Sequence, residues 1–412
     1  MAEFLLVAQR LLGVVLIPLL VWQTGEGRRA LAINAVATAL AIVLSPAAAQ
    51  AQQPAGCDAP PAMPDDWPVS TPREQGLNPN LICGIEAKLE KLKDANPNGV
   101  VIARNGAIVY ERYFTGPDLR WPQQQWMQPP QIMPHDIHTK HDLQSITKSV
   151  VGLLVGVAVD RGLIKSVDAS LLSFFPEHAD LKSPERDRIT LRDLLTMRAG
   201  LNWPTKPYLS MARRVEAAPD PYRVVMEQPM VAEPGKEWRY NNGVGELVGG
   251  IVQRVTDRRL DQFAKDVLFD PLGITDWEWG RMANGDPGAS WGLRLRPRDL
   301  AKIGQLVLDH GSWRGRQIVS ADWIKEMITP RVFRPKFSYA YLWWREPASA
   351  EGSRTAWISG RGWGGQCLHV IPSLALVVVV TAGVYDYQGQ GRQSLACDTV
   401  MDAGVLPAVI DR

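Results

Sequence analysis

Ser145-Ile146-Thr147-Lys148 places a hydroxyl and an ammonium one helical turn apart at the head of an apolar segment. The run that follows, through Val150, Val151, Leu153, Leu154, Val155, Val157 and Val159, is apolar nearly all round, so the helix Ile146 to Asp160 belongs in the middle of the protein. A lysine there is desolvated, which lowers its pKa and lets a neutral amine accept the serine proton. The helix N-terminus, with its free N–H groups, favours negative charge developing beside the serine. Taken alone, S-x-x-K has a plainer reading. It occurs by chance about once in a chain this long and then describes a serine N-cap with Lys148 reaching solvent.

Two further segments carry chemistry. Trp238-Arg239-Tyr240-Asn241-Asn242-Gly243 follows Glu233-Pro234-Gly235 and precedes another apolar helix, so a phenol and an amide share a tight loop. A phenol near a lysine can shuttle protons, whereas an isolated Y-x-N is a turn with a packed ring. Gly360-Arg361-Gly362-Trp363-Gly364-Gly365-Gln366 leads into the strand Cys367 to Ile371, and its small residues let a substrate carbonyl approach main-chain N–H groups. Its plain reading is a flexible hairpin approach.

Two other patterns are weaker. Gly288-Ala289-Ser290-Trp291-Gly292 fits G-x-S-x-G, but a nucleophile elbow needs a buried strand before it and a helix after it. Here Asn284-Gly285-Asp286-Pro287 precedes and Leu293-Arg294-Leu295-Arg296-Pro297 follows. His135, His138 and His141 recur every third residue, yet no nearby Cys, Asp or Glu completes a familiar metal site, and Pro134 opposes a regular helix presenting all three.

The elements that position these residues follow from periodicity. Leu81 to Leu92 reads as a helix, and Gly99 to Tyr110 reads as two strands about Asn105-Gly106. Cys367 to Ile371 and Ala375 to Thr381 form a second strand pair broken at Pro372-Ser373, and Ser394 to Met401 reads as helical. Helical patterns lie between, at Leu191 to Met197, Gly245 to Val255, Leu260 to Val267, Arg298 to Leu308 and Ala321 to Ile328. The expected fold class is α/β (α+β): an antiparallel sheet built from both chain ends and flanked by helices, with an inserted mainly helical region. Trp203, Trp343, Trp344 and Trp363 sit in polar or Gly-rich loops suited to a pocket, as do the stretches Asn202 to Tyr208 and Phe333 to Trp344.

Composition narrows the classes. Of 412 residues, 45 are Lys or Arg and 43 Asp or Glu, a net charge of +2 that leaves no surplus for a polyanion, so no nucleic-acid partner is expected. With 46% apolar and 21% charged residues the chain is a folded globular one. Arg28-Arg29, the apolar run Ala30 to Leu44 and the small residues Ala47-Ala48-Ala49-Gln50-Ala51 read as a signal peptide over 28–51. The earlier stretch Phe4 to Trp22 is long enough to cross a bilayer but carries Arg10 and Pro18, and reads as an early start or an uncleaved anchor. The expected organisation is a leader over 1–51, a Pro-rich linker over 52–75 and a catalytic domain over 76–412. The product would be periplasmic or secreted, and membrane-bound only if residues 4–22 are retained. Cys57, Cys83, Cys367 and Cys397 then allow up to two disulfides, with three pairings open.

Together these segments resemble the serine β-lactamase and penicillin-binding-protein family, in particular its class C β-lactamase, esterase and 6-aminohexanoate-dimer hydrolase branch. Besides S-x-x-K and Y-x-N, the resemblance includes Ile189-Thr190-Leu191-Arg192-Asp193-Leu194-Leu195-Thr196-Met197 followed by Gly200-Leu201, and Gly292-Leu293-Arg294-Leu295-Arg296-Pro297-Arg298-Asp299-Leu300. It covers nearly all of the chain beyond the leader. It implies a β-lactamase/transpeptidase-like fold with Ser145 as nucleophile, Lys148 as its base and Tyr240 protonating the leaving group. Backbone N–H groups of Ser145 and Trp363 would form the oxyanion hole. Asn242 would bond substrate or Lys148, with Arg361, Gly362 and Tyr208 as further substrate contacts. The third motif departs from the pattern, since Gly360-Arg361-Gly362 stands where β-lactamases carry Lys-Thr-Gly and is closer to the G-x-x-G-Q form of the amide-hydrolase branch. The missing Lys and Thr would have gripped a β-lactam carboxylate, and Arg361 is a candidate substitute. The resulting expectation is an exported serine hydrolase that cleaves a small amide or ester through a Ser145 acyl-enzyme without metal or organic cofactor. The alternatives are β-lactamase or D-alanyl-D-alanine carboxypeptidase activity, or a non-catalytic penicillin-binding or peptidoglycan-sensing module.

Overall fold

Asn105-Gly106, set between alternating apolar residues, closes the hairpin that starts the main sheet. In the computed structural model, which describes residues 58–410 apart from 66, 93, 120–129, 207–209, 347–354 and 386–391, β1 (Pro97–Arg104) and β2 (Ala107–Tyr113) pair antiparallel across this turn. Both turn residues have positive φ, 52° and 79°, the type I′ geometry that matches strand twist. The expected leader and Tyr208 lie outside the described residues. Among those that are described, no helix is long and apolar enough to cross a membrane.

Six strands arrive from the other end of the chain: β3 (Val332–Arg334), β4 (Phe337–Tyr339), β5 (Trp344–Glu346), β6 (Trp357–Gly362), β7 (Gln366–Ile371) and β8 (Leu376–Ala382). The sheet order is β3-β4-β5-β6-β7-β8-β1-β2, antiparallel throughout, and β8 joins the two ends of the chain by pairing with β1. The architecture is therefore the expected one, with helices on both faces and a mainly helical region inserted between β2 and β3.

Period-two alternation assigns the faces. Val101, Ala103, Leu368, Val370, Val377 and Val379 join one core with α2 (Ile146–Asp160) and α4 (Pro297–Leu308). Val100, Ile102, Ile371, Val378 and Val380 join a second core with α1 (Pro79–Glu90) and the C-terminal helical segment from Leu395 to Ala408. The R-L-R-P-R-D segment ahead of and within α4 supplies buried cross-links: Arg294–Asp118 at 3.0 Å, Arg298–Glu111 of β2 at 2.6 Å and Asp299–Lys302 at 3.0 Å. Such pairs recover much of the cost of burying charge only when several partners converge, so they fix the seating of α4 more than they stabilise it.

Three differences from the sequence reading have physical causes. Phe333 to Trp344, expected as a loop, forms the edge strands β3 and β4 and the first residue of β5, because three-residue strands are too short to display alternation. The helix expected over Leu260 to Val267 is α-helical to Ala264 and continues as a π-turn to Phe269. The C-terminal pattern likewise passes from Leu395–Asp398 into a π segment, Thr399–Val405.

The pairing of two thiols is settled. Cys367 of β7 is bonded to Cys397, holding the C-terminal segment against the sheet, and Cys83 is also disulfide-bonded. Closing the 30-residue separation between Cys367 and Cys397 restricts the unfolded chain. In the chain-entropy account this contributes about 3–4 kcal/mol. Replacing both cysteines by serine is expected to lower the melting temperature by about 5–10 °C in a thermal scan, whereas a shift of less than about 1 °C would show that the bridge adds nothing.

Candidate active site

The segment ahead of α2 is held before the helix begins. His141-Asp142 pairs with Leu295-Arg294, and Leu143 N–H donates to the Leu293 carbonyl at 2.9 Å. Asp142 accepts from Gln144 twice, from its backbone N–H at 2.9 Å and its side-chain amide at 2.8 Å. These contacts hold Gln144 at φ 49°, a left-handed conformation that a non-glycine residue adopts only when its surroundings impose it. Ser145 follows at the head of α2.

Both parts of the plain S-x-x-K reading fail. The Ser145 side chain makes no cap hydrogen bond, and Lys148 is only 1% exposed. Lys148 Nζ instead lies 2.9 Å from Ser145 Oγ and donates to the Ser290 carbonyl at 2.8 Å. Its ammonium also stands 5.2 Å from the centre of the Tyr240 ring. Tyr240 reaches this position because Asn241 caps α3 (Asn242–Thr256), accepting from Val244 N–H at 3.3 Å and donating to the Leu201 carbonyl. Trp344 of β5 stacks on the Tyr240 ring at 5.8 Å, backed by Trp238, Phe337 and Tyr339. An aromatic plate built from the edge strands thus holds the phenol beside the lysine.

The third wall is the end of β6. Gly362 lies so near the segment ahead of Ser145 that a Cβ there would stand 2.3 Å from the Leu143 carbonyl oxygen. Beyond it the turn at 363–365 is braced by buried Gln366. The Gln366 amide donates to the carbonyls of Trp363 and Ala382 at 3.2 and 2.7 Å, and its own oxygen accepts from Ala382 N–H at 3.1 Å. Ser145, Tyr240, Arg361, Gly362 and Trp363 line one cleft of about 380 Å³ that runs on to Asp398 and the Cys367–Cys397 bridge. Trp363 stands in the turn just past β6 and packs on Tyr385 at 5.2 Å.

Other expected residues are placed differently. Asn242 does not reach Lys148, and its side-chain oxygen is buried without a hydrogen-bond partner. The second acceptor for Lys148 is the Ser290 carbonyl. Of the four tryptophans suited to a pocket, Trp363 lines the cleft, Trp343 is fully buried, Trp344 backs Tyr240 and Trp203 packs against the first turn of α3. His135 and His141 lie 5.6 Å apart ring to ring, but His141 pairs with Asp118 and His138 is exposed, so no three-histidine site forms. Among the described residues the one group with metal-ligand proximity is Cys367, His369 and Cys397, whose sulfurs are spent on the disulfide. Ser359 and His369 form a Ser–His pair at 2.7 Å, but Ser359 is fully buried, and burial pushes the His369 pKa down to about 3.

Three participants went unread. Ser290 contributes a main-chain oxygen, which has no side-chain signature. Glu246 of α3 is buried against Ser290. Glu346 lies 2.8 Å from Arg361, an ion pair that occupies the guanidinium expected to replace the Lys-Thr-Gly grip. Burial raises the Glu346 pKa and Arg361 pulls it back.

Residues 87–387 match the Beta-lactamase family. The chain belongs to that family. Lovastatin esterase of Penicillium rubens is 32% identical to this beta-lactamase-family chain over 196 residues, covering 42% of this chain and 48% of the relative. The 6-aminohexanoate-dimer hydrolase of Paenarthrobacter ureafaciens is 25% identical over 316 residues, 70% of this chain and 73% of the relative. The chain spans about half the length of the first curated relatives it matches. Among solved structures, a penicillin binding protein from Bacillus halodurans superposes with a TM-score of 0.56 at 17% identity, over 77% of this chain and 99% of that one, a likeness of fold.

The steric fit of Gly362 generates a test. Gly362→Ala is expected to lower kcat/KM at least about tenfold by displacing the nucleophile segment, since small misplacement of reacting groups is costly. Steady-state kinetics on a chromogenic ester, with a melt to verify folding, checks it. Unchanged kinetics would show that the end of β6 does not set the position of Ser145.

Proposed function

We propose that this chain is an exported hydrolase that cleaves a small amide or ester through an acyl-enzyme on Ser145. The observation that carries the reading is the contact of 2.9 Å between a buried lysine amine and an uncapped serine hydroxyl at a helix N-terminus. Ser145 Oγ attacks the carbonyl and its proton passes to neutral Lys148. The developing oxyanion is held by the main-chain N–H groups of Ser145 and Trp363. The C–N or C–O bond then breaks, and Tyr240, resupplied by Lys148, gives the departing amine or alcohol its proton. Water then attacks the acyl carbonyl as it gives up a proton to the same pair, the bond to Ser145 Oγ breaks, and that oxygen takes the proton back as the acyl group leaves as the acid.

The substrate class draws on the esterase and amide-hydrolase relatives and on the cleft itself. Arg361 Nε lies 2.8 Å from a Glu346 carboxylate oxygen and Asp398 lines the same cleft, so a substrate carboxylate meets acidic groups beside this guanidinium. That disfavours β-lactam and D-alanyl-D-alanine substrates relative to an uncharged ester or amide. The juxtaposed Ser145, Lys148 and Tyr240 argue for turnover over a non-catalytic binding module. Export is supported by the order Arg28-Arg29, apolar run and small residues, and by disulfides suited to an oxidising compartment.

A fluorophosphonate probe is expected to add once per chain, with Ser145→Ala abolishing the adduct and Ser290→Ala retaining it. An adduct that survives loss of Ser145 and disappears with Ser290 would overturn the assignment. Glu346→Gln is expected to free Arg361 and speed penicillin acylation roughly tenfold, the scale of one charge-assisted contact. An unchanged rate would show that Arg361 does not face the carboxylate.

A further inference from the structure

Glu246 is a buried acid that the reaction as described leaves unused, and the G-x-S-x-G segment it touches is a motif that the nucleophile assignment leaves without a role. The two meet. Glu246, 3% exposed on α3, accepts from Ala289 N–H at 2.7 Å on one oxygen and from Ser290 N–H at 3.1 Å on the other. The Ser290 hydroxyl donates to that second oxygen as well. Two main-chain donors and a hydroxyl on one carboxyl group fix the peptide segment in place, and the carbonyl of this same Ser290 takes a hydrogen bond from Lys148.

We propose that Glu246 is a positioning residue for the Lys148 base: by clamping the 289–290 backbone it holds the Ser290 carbonyl where it orients the amine toward Ser145. The proposal rests on the Ser145–Lys148 reading of the site given above.

A neutral amine has two N–H bonds and one lone pair. Rotation about Cε–Nζ would leave that lone pair pointing away from the serine proton for much of the time. Holding one N–H on the Ser290 carbonyl, 2.8 Å away, restricts that rotation to two orientations, and the one in which the Ser145 hydroxyl, 2.9 Å away, donates presents the lone pair to it before substrate arrives. After the proton has moved, the same carbonyl accepts from the ammonium, whose burial would otherwise leave a donor unpaired. Glutamine cannot replace the clamp. Its NH2 must face one of the two main-chain N–H donors, whichever way the amide is turned.

The packing is as tight as the hydrogen bonding. At Gly245, next to the clamp, an added Cβ would lie 2.9 Å from Ser290 Cβ and 3.3 Å from Lys148 Cε. A methyl group there pushes on both partners of the contact without altering any polar group. In a helix interior, alanine is otherwise the better residue.

Among the described residues the titratable groups facing Lys148 are Tyr240, from the loop ahead of α3, and Glu246 on α3 itself.

The experiment is steady-state kinetics of Glu246→Gln and Gly245→Ala on a p-nitrophenyl ester across pH, each variant paired with a thermal melt. Supporting results are a fall in kcat of about tenfold or more with KM within about twofold. A folded Glu246→Gln with kcat within about twofold overturns the proposal. If Glu246→Gln does not fold, Gly245→Ala decides alone: lowered kcat at unchanged KM supports the clamp, and unchanged kcat overturns it. Ser145→Ala, run alongside, separates the two claims. Turnover surviving in Ser145→Ala contradicts the nucleophile assignment itself, whereas its loss beside an unaffected Glu246→Gln contradicts the clamp alone.

Discussion

The site depends on one buried amine shared between two oxygens. Lys148 sits 1% exposed among apolar side chains of α2, and its Nζ has the Ser145 hydroxyl at 2.9 Å and the Ser290 carbonyl at 2.8 Å. The main-chain acceptor on one side holds the amine against the serine hydroxyl on the other. The neighbouring elements serve this arrangement. The strand pairing at His141-Asp142 and the strained Gln144 set the height of Ser145, the Asn241 cap sets Tyr240, and β6 closes the third side at Gly362.

The sheet carries these parts because it is rigid on both faces. Alternating residues of β1, β7 and β8 feed two separate cores, so the end of β6 cannot shift without disturbing packing on either side. The buried pair Arg298–Glu111 ties α4 to the N-terminal hairpin, and Arg294–Asp118 ties the segment ahead of α4 to the chain just past it. The edge strands have another use. They are short and rich in aromatic residues, and Trp344, Phe337 and Tyr339 form the surface against which Tyr240 rests.

Much of this was legible in the sequence, for reasons that can be stated. Helix α2 spans Ile146–Asp160 as its unbroken apolar run required, and the Asn-Gly hairpin formed because that dipeptide accepts two positive φ values. The burial of Lys148 followed from its place on an all-apolar helix. The strands β3 to β5 were not legible, since three residues cannot show a period of two. The Ser290 carbonyl was hidden because any residue type supplies a main-chain oxygen. Glu246 reads as an ordinary helical surface acid until the fold turns it inward. The Arg361–Glu346 pair depends on β5 and β6 lying side by side, which no local pattern announces.

The central claim is that a covalent acyl group forms on Ser145, with Lys148 as its base. The most direct measurement is acid-quenched peptide mass spectrometry during turnover of a p-nitrophenyl ester. The account predicts the acyl mass on the peptide that contains Ser145, absent when Lys148 is replaced by alanine. An acyl group found on Ser290 or another residue, or undiminished acylation of Ser145 without Lys148, would contradict it.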